Sequence, residues 1–182
     1  MGMRYEVRLS GEGGQGLVLA GKILAEAAAI YDGKNATQSQ SYGPEARGGA
    51  SRSEVIISDE DIDYPKATNI DLLLALTQES SDKYSKDLKE NGILLVDSEA
   101  VTKLPEGNFN VYKVPISEIA RSKIGKVVVA NIVALGIIAE LSTIVSIDSL
   151  ESAVLARVPK GTEELNLKAF RTGMEVAQEL LK

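Results

Sequence analysis

Hydrophobic positions recur along this chain with two different spacings. Residues 5–9 alternate between apolar and polar side chains, which predicts a half-buried strand. Residues 17–31 carry an apolar stripe with helical spacing, so we expect a helix directly after that strand. Residues 71–77 and 92–96 are continuous apolar runs of strand length, typical of a sheet that is covered on both faces.

The remaining segments extend this alternation of strands and helices. Asp32 and Gly33 form a turn signal, and residues 41–51 combine Pro44 with three glycines, which predicts a loop. Further strands are predicted at residues 36–42, 53–58 and 110–114, and helices at residues 80–88, 116–122, 130–141, 150–158 and 163–181, the last with Thr162 as its N-cap. We expect the strands at 36–42 and 53–58 to be neighbours. The pattern indicates one α/β domain over residues 1–182 with a helical C-terminal third.

The sequence GEGGQG, residues 11–16, lies between the first strand and the first helix and matches the pattern GxGxxG. Glycines allow backbone N–H groups to approach a phosphate, and a helix N-terminus adds partial positive charge. An NAD site would also need an acidic residue about 20 positions later, at the end of the second strand. Residues 38–42 contain none, and Asp32 precedes that strand. A dinucleotide, a differently bound anionic ligand and a purely packing role for the glycines therefore remain open.

A second glycine-rich segment, SYGPEARGG, follows the second predicted strand. In a doubly wound sheet the loops after parallel strands face one crevice, so we expect GEGGQG, the start of SYGPEARGG, residues 77–78 and residues 97–98 to converge. Arg47 would be the strong cation of this crevice. Its alternative role is an ion pair with Glu45 or Glu54.

Composition excludes several kinds of chemistry. The 182 residues include no cysteine and no histidine, so this chain alone cannot build a disulfide, a thiolate nucleophile, a cysteine-ligated cluster or a Ser-His-Asp triad. The net charge of −6 does not favour nucleic acid. The longest apolar run, residues 127–139, is too short to span a bilayer, and the absence of a signal segment indicates a cytoplasmic protein that does not bind membranes. We interpret the helix at 131–141, which is apolar nearly all round, as core rather than as a subunit interface.

Three blocks of the sequence carry a resemblance: GEGGQGLVLAGKILAEAA, QSYGPEARGGASRSEVIIS and LLALTQES. They resemble the gamma subunit or gamma domain of the 2-oxoacid:ferredoxin oxidoreductases, and the likeness extends over nearly the whole chain. The GPEARGG form of the second block favours the 2-oxoglutarate branch, because pyruvate-type relatives are expected to carry a more aromatic version with two arginines. The resemblance implies a three-layer, Rossmann-like α/β fold with a mostly parallel sheet.

The resemblance also implies a division of labour within a complex. Such a complex decarboxylates a 2-oxoacid with thiamine diphosphate, passes electrons through iron–sulfur clusters to ferredoxin, and delivers the acyl group to coenzyme A. The partners are alpha, beta and delta (ferredoxin-like) subunits, which hold the thiamine diphosphate and the clusters, so this chain holds no cofactor alone. The alternatives are a stand-alone Rossmann-like nucleotide-binding protein and an assembly protein that only braces its partners.

The resemblance implies roles for two groups of residues and none for a catalytic residue or a metal ligand on this chain. The residues assigned to a loop that faces phosphate or coenzyme A are Gly11, Gly13, Gly14, Gln15 and Gly16, with Arg47 as the accompanying cation. The residues assigned to a loop that faces the partner's active site are Tyr42, Gly43, Pro44, Glu45, Gly48 and Gly49.

Overall fold

A computed structural model of the chain describes residues 2–42 and 49–182. Within these residues the strands are β1 (Arg4–Glu12), β2 (Asn35–Tyr42), β3 (Ala50–Ser58), β4 (Ile70–Ala75), β5 (Leu88–Asp97) and β6 (Asn110–Val114). The α-helices are α1 (Leu17–Glu26), α2 (Gln78–Tyr84), α3 (Ile116–Ile119), α4 (Ala130–Ser142), α5 (Ile147–Arg157) and α6 (Glu163–Leu180). The strands form a single sheet in the order β2-β3-β1-β4-β5-β6. The α/β class predicted from the sequence is confirmed.

The sheet is mostly parallel, with one strand reversed. β1, β4, β5 and β6 pair in parallel, whereas β3 pairs antiparallel with both β1 and β2. The expectation that the second and third strands are neighbours is therefore confirmed, because β2 and β3 pair along their whole length. Ser51 at the start of β3 lies opposite both Tyr42 and Gly11, so the two glycine-rich segments meet at one edge of the sheet.

The two faces of the sheet are covered unequally. One face buries Val7, Leu9, Leu72 and Leu74 in a large core shared with α1, α4, α5 and α6. The other face buries a smaller cluster that includes Leu73, Leu94 and Tyr84, the last contributed by α2. Helix α2 has only seven residues and packs over β1, β3 and β4, so a cavity remains over β2 and part of β3 on this side.

Helix α4 is the centre of the larger core. All residues from 130 to 139 are buried within this chain, which supports the interpretation of this helix as core. Where α4 crosses α6, Gly136 faces the carbonyl of Phe170, and Gly173 faces the carbonyl of Val133. A Cβ atom at either glycine would collide with the opposite backbone. The two helices therefore approach more closely than any larger residue would allow.

Several element boundaries differ from the prediction. Gly11 and Glu12 continue β1, and the first helix changes to a π-turn over Ala27–Tyr31. Leu88 was expected to end a helix but begins β5, because its side chain packs in the smaller core. Thr162 does precede α6, but its side chain makes no N-cap hydrogen bond. Its hydroxyl donates to the carbonyl of Pro159 at 2.6 Å instead.

Asp32 connects the end of the first helix to the start of α5. Its carboxylate accepts hydrogen bonds from the backbone N–H of Ser146 at 2.8 Å and from the hydroxyls of Ser146 and Ser149. Ser146 is in turn the N-cap of α5 and accepts from the N–H of Ser149 at 3.2 Å. Partial burial of the Asp32 carboxyl disfavours its charge, but the hydrogen bonds from Ser149 and Ser146 outweigh this and hold its pKa below the usual range.

No α-helix in the described ranges, 2–42 and 49–182, is both long and apolar enough to cross a lipid bilayer.

The helix crossing gives a first prediction. Gly136→Ala or Gly173→Ala should lower the free energy of unfolding by about 1–3 kcal/mol, because each added methyl pushes two backbones apart. Gly13→Ala is the matched control, since a Cβ at Gly13 would meet nothing within 4 Å. Urea denaturation measures the three values. Equal stability of all three variants would contradict the close crossing. The double variant of Gly136 and Gly173 should lose less free energy of unfolding than the two single variants combined.

The Asp32 cluster gives a prediction about pH. Because the pKa of Asp32 is lowered in the folded state, its charge stabilises the fold above the pKa of an unfolded aspartate, about 3.9, and this contribution is lost as the pH falls through the folded value. Asp32→Asn should therefore destabilise the protein near pH 7, and its difference from the wild type should shrink on acidification. Thermal unfolding between pH 7 and pH 3 tests this, with the exposed Asp61→Asn as the control. A difference that is constant with pH would refute the role of the charge.

Candidate functional site

The candidate site lies at the edge of the sheet where the parallel strands end. The turn from Gly13 to Gly16 follows β1 there, and Leu76 after β4 donates its N–H to the carbonyl of Ser10 at 3.0 Å. Ser51 of β3 lies beside Gly11, and Tyr42 of β2 lies on the other side of Ser51. The structure thus brings the first glycine-rich segment, the ends of the hairpin and the end of β4 together, as the rule for parallel strands predicted.

Polar residues predicted at this edge are occupied by local hydrogen bonds. The hydroxyl of Thr77 accepts from the N–H of Ser80 at 3.1 Å and caps α2. The amide oxygen of Gln78 accepts from two N–H groups of the loop after β5. Asp97 is 2% exposed, and its carboxylate accepts from Glu99 and Ser117 N–H groups at 3.1 Å and 3.0 Å. These side chains shape the edge and are not available to a ligand in this arrangement.

The glycine turn is held from within by Gln15. The side-chain oxygen of Gln15 accepts from the N–H of Glu12 at 2.8 Å and lies over Gly11, where a Cβ atom would collide with it. The amide oxygen of Gln15, which was predicted to be a cofactor-binding residue, thus closes the turn. Gly11 is needed because Gln15 and Leu76 leave no room for a side chain.

Gly13 and Gly14, in contrast, face open space. A Cβ atom on either would meet nothing within 4 Å among residues 2–42 and 49–182, and Gly14 adopts a left-handed conformation with φ of 89°. The helix that follows, α1, has Gly16 as its N-cap, no side-chain cap and no acidic residue in its first turn. Its first intrahelical N–H donor is that of Ala20, so the N–H groups of residues 17–19 lack helical acceptors. Exposed glycines and an uncapped helix N-terminus together suit an anionic group.

Asn131, in the first turn of α4, fixes the position of this turn. Its side-chain N–H₂ donates to the carbonyl of Gly16 at 3.0 Å, and its side-chain oxygen accepts from the N–H of Ile132 at 2.9 Å. Asn131 is 4% exposed. Gly16 is required at this contact, because its φ is 74° and a Cβ atom would collide with the Asn131 amide. The sequence showed Asn131 only as a polar interruption of an apolar helix, which was the available signal that it has a buried partner.

Two cavities of about 260 Å³ each open beside Gly14. The first is largely apolar and lies between the turn, the start of α4 and the segment before α6, with Leu19, Val158 and Leu165 in its wall. Lys126 lines this cavity and is exposed, so it is a cation within reach of a ligand at the turn. Val128, which is 69% exposed, lines both this cavity and the second one. Sequence reasoning missed Lys126, because its proximity to the turn depends on the packing of α4.

Much of the second glycine-rich segment lies outside the described residues, including Gly43, Pro44, Glu45, Arg47 and Gly48. Tyr42 ends β2, and Gly49 immediately precedes β3. Glu54, considered as an ion-pair partner for Arg47, binds Arg8 at 2.7 Å.

The topology argues against a dinucleotide site of the NAD type. β2 runs in the same direction as β1, so Asp32 precedes β2 at the edge opposite to the glycine turn. Its carboxylate is also occupied by Ser146 and Ser149. Asp32 therefore cannot hold a ribose at the turn, and the position at the end of the second strand is Tyr42.

Comparison with known proteins agrees with this geometry. The family model described as pyruvate ferredoxin/flavodoxin oxidoreductase matches residues 6–176. The chain belongs to this family. It is 57% identical to the 2-oxoglutarate synthase subunit KorC of Methanocaldococcus jannaschii, over 98% of this chain and 96% of that protein. The resemblance seen in the three sequence blocks, and its nearness to the 2-oxoglutarate branch, are confirmed.

Solved structures show the same relationship within the family. The gamma subunit of a keto/oxoacid ferredoxin oxidoreductase from Geobacter sulfurreducens superposes with a TM-score of 0.91 and 59% identity, over 97% of this chain and 98% of that one. The 2-oxoglutarate:ferredoxin oxidoreductase from Magnetococcus marinus, solved with 2-oxoglutarate, coenzyme A and succinyl-CoA bound, matches with a TM-score of 0.84 and 23% identity, over 97% of this chain and 31% of that one. The latter likeness shows the fold alone.

The Asn131 contact gives a prediction for the site. Asn131→Ala should lower the free energy of unfolding by about 1–3 kcal/mol, because the buried N–H of Ile132 loses its acceptor and the carbonyl of Gly16 loses one of its two hydrogen bonds. It should also speed hydrogen exchange of the amides of residues 16–19 more than that of the sheet. The exposed Asn69→Ala is the control. Unchanged exchange at these amides would show that Asn131 does not hold the turn.

Proposed function

We propose that this chain is the gamma subunit of a 2-oxoglutarate:ferredoxin oxidoreductase, which converts a 2-oxoacid to an acyl-CoA by oxidative decarboxylation. The observation that carries the proposal is the likeness to 2-oxoglutarate synthase subunits over nearly the full length of both chains. The geometry agrees, because the part of the chain that the structure describes presents an open glycine turn and an uncapped helix N-terminus, with no set of catalytic side chains around them in that part. No observation favours a stand-alone nucleotide-binding protein.

The proposal places the redox cofactors on partner chains. This chain has no cysteine or histidine to ligate an iron–sulfur cluster. Within the described residues no three acidic side chains gather as a metal site would require. In the proposal, alpha, beta and delta subunits hold thiamine diphosphate and the clusters, ferredoxin accepts the electrons, and the complex acts in the cytoplasm. Residues 1–182 form one gamma-type domain, and no residue of this chain is catalytic.

The glycine turn is proposed to handle coenzyme A. A phosphate group over Gly13 and Gly14 would accept hydrogen bonds from the N–H groups at the start of α1. Lys126 adds a positive charge beside the turn, and the apolar cavity next to it can accept the uncharged part of the ligand. The net charge of −6 does not prevent this, because solvated charges more than about 8 Å away are largely screened at physiological salt. Gly11, Gln15 and Gly16 maintain the shape of the turn, and Arg47 is proposed as a second cation.

The segment from Tyr42 to Gly49 is proposed to face the thiamine active site of the partner. Its two ends, at β2 and β3, lie at the same sheet edge as the glycine turn. A ligand bound at the turn would therefore lie next to this segment. Tyr42, Gly43, Pro44, Glu45, Gly48 and Gly49 are its proposed members.

The role in coenzyme A handling gives a prediction. In the reconstituted complex, Lys126→Ala, Arg47→Ala and Gly13→Val should each raise the apparent KM for coenzyme A, by roughly tenfold where a charged contact to phosphate is lost. The KM for 2-oxoglutarate should change little. Lys123→Ala is the control for Lys126, because Lys123 lines a different cleft against α6. An unchanged KM for coenzyme A in all three variants would favour a subunit that only braces its partners.

The assignment to a complex is tested separately. Native purification of this chain should recover the partner subunits and an activity that depends on 2-oxoglutarate, coenzyme A and ferredoxin. Isolation as a lone active enzyme, or micromolar binding of NAD or FAD by the purified chain, would overturn the proposed function.

A further inference from the structure

A polar cavity of about 470 Å³ lies over the open part of the β2–β3 hairpin. It is on the sheet face opposite to α1, because Arg8 points into it while its neighbours Val7 and Leu9 pack in the core beneath α1. Its charged lining consists of Arg8, Arg52, Lys66, Glu54 and Asp87. The glycine turn does not contribute to this cavity, so the two sites are separate.

Arg8 forms the floor of the cavity and is fully paired. It is 2% exposed, and its guanidinium contacts the carboxylates of Glu54 at 2.7 Å and Asp87 at 2.8 Å. A terminal N–H also donates to the carbonyl of Ala67 at 3.2 Å. A buried arginine in this arrangement has its charge compensated and its donors used, so its role is structural.

Arg52 differs from Arg8 although the two guanidinium groups share Glu54. Its backbone is held in the sheet opposite Ser10 and Ser41, and its guanidinium lies over the ring of Tyr84 at 5.3 Å. The Nε atom is 3.5 Å from the Glu54 carboxylate, and it is buried with no hydrogen-bond partner among the described residues. A buried donor that has no acceptor among residues 2–42 and 49–182 is unfavourable, so an added acceptor beside this guanidinium would be stabilising.

The charges around Arg52 favour an anionic acceptor. Glu54 and Asp87 are both bound to Arg8, so they are already compensated in part. Among residues 2–42 and 49–182, three cationic and two anionic side chains line the cavity, which is a local excess of positive charge on a protein with a net charge of −6. Lys66 is exposed, whereas Arg52 is 33% exposed and fixed by stacking, so Arg52 is the better positioned donor.

We propose that this cavity binds an oxyanion, a carboxylate or a phosphate, through the guanidinium of Arg52. The planar guanidinium can donate two parallel hydrogen bonds to such a group, and its stacking on Tyr84 reduces the entropy lost on binding. Lys66 adds charge, and Thr68 contributes a hydroxyl to the same lining. The oxyanion has two possible sources: a carboxylate side chain of a partner subunit, or a free small anion.

The test uses the purified full chain and inorganic phosphate at constant ionic strength. Phosphate should shift the Nε–H signal of Arg52 in ¹H–¹⁵N spectra along a saturable curve, whereas the signal of Arg8 should move little because its donors are occupied. Arg52→Gln should abolish saturation at the amides around the cavity. Arg52→Lys keeps the charge without the planar fork and should weaken binding at least fivefold. If Arg52→Gln does not fold, Arg52→Lys still tests the proposal.

Arg157→Gln is the matched control, because that guanidinium pairs with Glu26 on another surface. It should leave the phosphate curve unchanged. A linear shift of similar size at every arginine, or an unchanged curve in Arg52→Gln and Arg52→Lys, would overturn the proposal. Repeating the titration on the assembled complex separates the two sources: loss of phosphate binding indicates a partner's carboxylate in the cavity, and retained binding indicates a free anion.

Discussion

The close crossing of α4 and α6 at Gly136 and Gly173 is the constraint on which the rest of the structure depends. These residues let the backbones of α4 and α6 touch, so that α4 can be buried along residues 130–139. A buried helix holds its first turn in a fixed place, and that turn carries Asn131. Through the hydrogen bond from Asn131 to Gly16, the helix crossing determines where the glycine turn sits at the sheet edge. Packing far from the site thus sets the geometry of the site.

At this sheet edge, the groups that stabilise the fold differ from the groups that are open to a ligand. Gln15, Thr77, Gln78 and Asp97 use their polar groups to close turns and cap helices. What remains open to a ligand is mainly backbone, at Gly13 and Gly14 and at the start of α1, together with Lys126. Backbone donors can hold an anion but cannot act as a nucleophile or a general base. This agrees with the proposed role, in which this chain positions coenzyme A and the partner subunits carry the reactive cofactors.

The local charge at each site, and not the net charge of the chain, determines whether an anion is attracted there. The helix N-terminus with Lys126 and the Arg52 cavity are both favourable to negative groups, although acidic residues exceed basic ones. They lie on opposite faces of the sheet. Helix α1 covers one face, and the side chains of Arg8 and Arg52 point to the other. The two proposed anion sites therefore do not overlap.

The sequence by itself determined the α/β class, most strands and helices, the glycine turn between β1 and α1, and the family, because these depend on local spacing and on contiguous motifs. Predicted ends of elements, such as the helix end at Leu88, were wrong where packing in the core outweighed the local sequence pattern. Only the tertiary structure decided the reversal of β3, the distance of Asp32 from the glycine turn, and the roles of Asn131, Lys126 and Arg52. Each of these depends on which distant segments the sheet and the α4–α6 crossing bring together. A side chain's partners in a folded protein are set by such long-range contacts, and one residue's place in the chain does not reveal them.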